Sequence, residues 1–365
     1  MECSPLGKPF KGFKQWSADY GLRTIRPGQE ASNCGSAEAE LPLRPACGGA
    51  HSGRTFSRDT EMKAKKFLIK SAQILIIVLI FYFLIKNLVS NWNQVKDFDW
   101  QFDWVLLIVS FVLQLMTLFW LVKIWQSMLR HTGSSVSYLK LFKVWFFTNL
   151  GKYLPGKVWQ FLGMIYMLEK EGVPKQNSLS TGVLAQAFSV ISGLFISVLF
   201  LGADLYSHFF SKKPGLMVAG VVLSLVILAI LCYPKVLEKI VNGGLRILKK
   251  EKISLDISLK DVIIYLLSYS LSWLLFGLAF LIFVKAMAQA DFKMYPTLTG
   301  AFAFSLNIGF LALFTPGGIG VREGILVFLL SSFFPLPVST LISLLSRLWI
   351  TVGELLCFLI AVPLK

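Results

Sequence analysis

The chain has 365 residues, 55% of them apolar and 14% aromatic. A soluble protein of this length needs more polar surface than that leaves, and several apolar runs approach the ~20 residues that cross a bilayer, so the composition excludes a soluble globular class and implies a polytopic helical membrane protein. The net charge of +16 does not argue for nucleic acid. The lysines and arginines cluster between apolar runs, as the positive-inside rule requires, and anionic lipid headgroups are the second partner they suit.

Residues 1–61 are polar, rich in Gly, Pro, Ser and Arg, and carry no helical or strand period. They lack the apolar core of a signal peptide. Two readings stand: a disordered cytoplasmic tail, or an upstream extension ahead of a true start at Met62, where MKAKKFLIK leads into an apolar anchor. The membrane part is then 62–365. Cys3, Cys34, Cys47, Cys232 and Cys357 form no CxxC, and with three histidines in the chain no spacing of a metal site arises. No cofactor is expected.

The apolar runs predict seven full spans, near 68–89, 104–123, 179–201, 215–233, 262–284, 297–314 and 339–362. Two shorter apolar pieces, 141–168 and 318–334, carry Pro-Gly breaks and predict interrupted or re-entrant helices. Lys63, Lys65, Lys66 and Lys70 before the first run put the N-terminus in the cytoplasm, and the aspartate-bearing segment 90–103 falls outside. Lys123, Arg130, Lys140 and Lys143 then fall inside, as do the basic residues of 234–260 and Lys365. This alternation needs 141–168 either to enter and leave on one side or to cross twice. Lys212 and Lys213 in an outside loop go mildly against it. Residues 234–252 mix apolar and basic positions, as either a helix on the membrane surface or a basic loop does.

Two breaks carry the chemistry. In LFTPGGIGVREGIL, Pro316-Gly317-Gly318 ends one half-helix and lets another begin near Ile319. A broken backbone at membrane depth is tolerated where protein or a water-filled cavity satisfies it. A helix N-terminus there, with Arg322 in its first turn, suits a phosphate; Glu323 balances Arg322 or takes a proton. PGGIG has no strand before it, so it is not a nucleotide loop. Gly320 and Gly324 have the spacing that lets another helix approach closely. In TNLGKYLPGKVWQ, Lys152 and Lys157 frame Pro155-Gly156. Asn149-Leu150-Gly151 precedes this break as Asn307-Ile308-Gly309 precedes the other. Interrupted segments at corresponding places in two halves point to a binding site in repeat-built transporters, so an internal repeat is a further expectation. The alternatives for these cations are a plain cytoplasmic turn and snorkelling to the surface.

In the last run Ser339, Ser343, Arg347, Thr351 and Glu354 share one helical face. Ionisable groups inside a span face a cavity or the bundle interior. Arg347–Glu323 and Glu354–Lys152 are both possible pairs. The stripes Gln186, Ser189, Gly193, Ser197 and Tyr265, Tyr269, Ser272 read as helix packing rather than substrate contact.

GKYLPGKVWQ (151–160) and PGGIGVREG (316–324) together resemble the lysylphosphatidylglycerol synthase transmembrane-region family, over roughly 65–362. The family comprises flippase-like integral membrane proteins, fused to an aminoacyltransferase domain, standing alone, or occurring with glycosyltransferases that act on polyprenyl lipids. Lys152, Tyr153, Pro155, Gly156 and Lys157 match the first motif, and Pro316, Gly317, Gly318, Gly320, Arg322 and Glu323 the second. With no soluble transferase domain following Lys365, the resemblance implies no lysyl transfer. It implies a translocase of an anionic or modified lipid, such as an aminoacyl-phospholipid or a polyprenyl-phosphate-linked lipid, in a bacterial cytoplasmic membrane. Asn307, Arg347 and Glu354 join the motif residues in the expected headgroup path. The alternatives are a membrane subunit of a separately encoded glycosyl- or aminoacyltransferase and a passive scaffold. No catalytic residue set is evident.

Overall fold

The structure is a computed structural model; residues 96–153, 158–210, 233–247, 258–312 and 315–364 are described, with isolated positions between 82 and 93 and at 222. The expected tail 1–61 lies outside the described residues. So do the expected spans 68–89 and 215–233, apart from such isolated positions. The regular structure among the described residues is all helical: α1 Trp104–His131, α2 Tyr138–Asn149, α3 Val158–Lys170, α4 Lys175–Phe210, α5 Pro234–Ile247, α6 Leu259–Lys285, α7 Tyr295–Leu311, α8 Val321–Leu330 and α9 Leu336–Ala361. Tight 3-10 turns at Leu150–Tyr153 and Pro316–Gly318 follow α2 and precede α8.

Among the described residues four helices, α1, α4, α6 and α9, are long and apolar enough to cross a membrane. Asp103 starts α1 by accepting from the Val105 and Leu106 amides at 2.8 and 3.1 Å, and Ser258 starts α6 by accepting from the Asp261 amide at 3.2 Å. α1 continues to His131, past the expected end at 123, because Trp125 and Leu129 beyond Lys123 are fully buried. α4 likewise runs past 201, to Phe210. Residues 234–247 form a strongly amphipathic helix with Lys235, Lys239 and Arg246 exposed, which removes the basic-loop alternative for that stretch.

The two ends of the bundle are distinguishable. At one, Asp103 donates its amide to Ala286 O at 2.9 Å, and Gln289 donates to Asp99 at 3.0 Å. At the other, Asn177 donates to Thr132 O at 3.0 Å, and Lys143 donates to Leu364 O. α1 and α6 therefore run antiparallel, and α9 ends where α1 ends.

Neither short apolar piece forms a single helix long enough to cross. α2 and α3 hold 12 and 13 residues, about 18–20 Å of helix against a ~30 Å hydrocarbon core. Lys140 in the first turn of α2 pairs with Glu171 just after α3 at 2.6 Å, so both arms open at the His131 end. Each arm alone is shorter than the hydrocarbon core, as in a re-entrant hairpin. The expected span 297–314 is a helix, α7, of 17 residues, about 25 Å long, and α8 after it has 10 residues, about 15 Å; the two pack on one another as a second broken hairpin, from the Asp103 end.

The apolar core has two centres. One surrounds Trp125, Phe142, Phe188 and Tyr269 towards the His131 end; the other surrounds Phe280, Phe302, Leu330 and Trp349 towards the Asp103 end. A group of polar residues lies between them, and Phe276 packs against both.

Candidate functional site

α9 is the rail along which the hairpins meet. Read from its end backwards, Phe358 packs on Phe147 at 4.7 Å between ring centroids, and Glu354 accepts from Asn149 and Lys152 at 3.3 and 2.5 Å. Arg347 Nη1 donates to Glu323 Oε1 at 2.5 Å, and Ser343 donates to Glu323 O at 3.2 Å. α2 and α8 thus lie along opposite halves of α9. Their inner ends meet between Arg347 and Glu354, and the two tight turns pack on each other.

Glycines make this meeting possible. Gly317, Gly318 and Gly320 have φ of 60, 70 and 86°, left-handed values that a side chain resists. At Gly151 an added Cβ would lie 2.8 Å from the Gln160 amide, and at Gly309 one would lie 2.8 Å from Arg322 Cβ. In each hairpin the glycine of an Asn-x-Gly triplet lets the opposite arm come in against it.

Between the two apolar centres is a cavity of about 250 Å³. Lys152, Arg322 and Arg347 border it, with Glu354. Its polar wall is completed by Asn149, Gln160, Gln186, Asn307 and Thr351, and its apolar wall includes Trp145, Trp273 and Phe276. Arg322 is only 7% exposed and lies 5.8 Å from the Phe302 ring centroid, a cation–π placement. Glu323 is 1% exposed and binds twice: Oε2 accepts from the Gly320 amide at 2.6 Å, and Oε1 takes Arg347. Buried charges are tolerated when paired and hydrogen-bonded in this way.

The structure brings together Lys152, Asn307, Gly317, Arg322, Arg347 and Glu354 around one cavity. Both ion pairs open to choice in the sequence form, Lys152–Glu354 and Arg347–Glu323. Three expectations change. Glu323 pairs with Arg347, not with Arg322. α8 starts at Val321 with Gly320 as its cap, two residues after Ile319, and the Glu323 carboxylate already meets that helix end. Among the described residues an added Cβ on Gly324 meets nothing within 4 Å, so none of the described helices approaches there. Gly318 packs against the Gly309 backbone, while Pro316 and Gly320 shape the turn. Pro155, Gly156 and Lys157 lie outside the described residues, and of Tyr153 only the backbone is described.

The two polar stripes divide. Gln186, Ser189, Tyr269 and Ser272 border the cavity, whereas Gly193 packs against Asn307 and Trp273 and Ser197 bonds back to Gly193 O at 2.7 Å. Gln186 carried the available signal: an amide inside an apolar run needs a polar partner, which small hydroxyls find on their own helix.

A comparison with protein families matches residues 71–356 to the lysylphosphatidylglycerol synthase TM region. No curated protein matches the chain.

Proposed function

The chain belongs to the lysylphosphatidylglycerol synthase transmembrane-region family, and from that premise we propose that it is a translocase of lipids with an anionic headgroup. The observation that carries this reading is the convergence of Lys152, Arg322 and Arg347 on one cavity where two broken hairpins meet. A lipid phosphate entering there exchanges water for charge-assisted bonds, while its acyl chains stay in the bilayer. Cations and carboxylates at this depth are costly, and a headgroup path gives them a use.

The architecture supports an inverted repeat. α1, the α2–α3 hairpin and α4 correspond to α6, the α7–α8 hairpin and α9: span, broken hairpin, span. The hairpins open at opposite ends of the bundle, and the Asn-x-Gly triplets occupy corresponding places. Binding where two such halves meet is how repeat-built transporters work. The His131 end, with Arg130, Lys140 and Lys143, is cytoplasmic by the positive-inside rule, and both termini lie there, in a bacterial cytoplasmic membrane. The chain transfers no group itself. A separately encoded glycosyl- or aminoacyltransferase acting on the same lipid is a natural partner.

The test is leaflet exchange in proteoliposomes with acyl-labelled anionic lipids, the outer leaflet being quenched chemically. Quenching beyond the half seen in protein-free vesicles supports a translocase. Quenching equal to protein-free vesicles with every anionic lipid rejects it and favours the transferase-subunit reading.

A further inference from the structure

The cavity also constrains what accompanies the phosphate. Among the described residues it is bordered by three cations, Lys152, Arg322 and Arg347, and one carboxylate, Glu354. That carboxylate already accepts from both Lys152 and Asn149. Glu323, close by, is spent on Arg347 and the Gly320 amide. A cationic headgroup such as an aminoacyl ester would have to displace a lysine or arginine from its partner, leaving a buried like charge. The excess of positive charge among the described wall residues favours an anion, and the one carboxylate there is already engaged.

The rest of the wall is made for hydroxyl groups. Gln160, Gln186 and Asn307 offer amides that both donate and accept. Tyr269 borders the same cavity and is 1% exposed, yet its hydroxyl has no hydrogen-bond partner. A buried hydroxyl without a partner is costly, and a headgroup hydroxyl that reached it would supply one. Trp145 and Trp273 supply flat apolar surface beside these groups, which suits the carbon face of a polyol. At ~30 Å³ per water, the cavity has room for about eight waters, enough for a phosphate and a compact hydroxylated unit.

We infer that the headgroup this chain selects is a phosphodiester carrying an uncharged, hydroxyl-rich unit, and that aminoacylated, cationic headgroups are disfavoured. The inference rests on the translocase reading for its biological sense, but its physical content is a binding preference.

It is therefore tested by binding. The full chain in detergent is titrated calorimetrically with short-chain phosphatidylglycerol, its lysyl ester and phosphatidic acid. Phosphatidylglycerol is expected to bind at least tenfold more tightly than the lysyl ester. Tyr269→Phe, which removes one hydrogen bond, is expected to weaken phosphatidylglycerol about fivefold and phosphatidic acid less than twofold. Equal or tighter binding of the lysyl ester overturns the inference, as does a Tyr269→Phe effect of the same size on all three lipids, or no binding of any. A retained preference without leaflet exchange would sink the translocase and leave the headgroup assignment standing.

Discussion

Glu323 shows how one side chain can hold two elements. Its carboxylate takes the Gly320 amide at the start of α8 and the Arg347 guanidinium on α9, at 1% exposure. Removing one member of a buried pair leaves the other charge stranded, at a cost of about 3–5 kcal/mol. Losing a helix cap costs about 1 kcal/mol more. Arg347→Met should therefore lower stability by the first amount, and Glu323→Ala by the sum. The double variant should fall well short of additive, because no stranded charge remains. Thermal unfolding of the detergent-solubilised chain measures all three, and additive losses would contradict the pairing. The sequence already suggested this partner, because Arg347 shares a helical face with Glu354 but lies too far from it to pair. It did not show that Glu323 also caps its own helix, since the choice between Arg322 and Arg347 depends on which way the first turn of α8 faces.

At the scale of the element, the broken hairpins are built on close approach. A Cβ at Gly309 would press on Arg322 Cβ at 2.8 Å, whereas one at Gly324 meets open space. Gly309→Ala should destabilise the chain by about 1–3 kcal/mol, since overpacking here cannot be relieved by a flexible tip. Gly324→Ala, inside α8, should gain up to about 1 kcal/mol from helix propensity. Both are read from the same unfolding curves, and the opposite order would mean that the arms do not pack as described. Pro316-Gly317-Gly318 and Pro155-Gly156 marked the breaks in the sequence. The 297–314 run was legible as an apolar helix, but its packing against α8 was not, because hydropathy registers the apolar run and not the return of the chain.

At the scale of the whole molecule, the membrane class, the core spans and the two breaks were legible, because they depend on apolar runs and backbone breakers close in sequence. The cavity was legible only through its charges. Gln186, Ser189, Tyr269 and Ser272 read as packing stripes, and on α4 the stripe does become packing by Gly193 and Ser197. Which part faces the cavity is decided by where the hairpin tips meet, an arrangement of segments more than a hundred residues apart. That meeting gives the fold its functional reading: two short arms from opposite ends leave a group of polar residues between two apolar centres, with Arg322 buried among them.

The central claim is that Arg322 receives a lipid phosphate during passage between leaflets. The most direct measurement compares leaflet exchange of an anionic phospholipid by the wild-type chain and by Arg322→Ala, each confirmed folded by its unfolding temperature. The account predicts exchange above protein-free vesicles for the wild type, a loss of at least tenfold in Arg322→Ala, and partial recovery in Arg322→Lys, which restores the charge without the planar donor fork. A folded Arg322→Ala that exchanges lipid at the wild-type rate would contradict it.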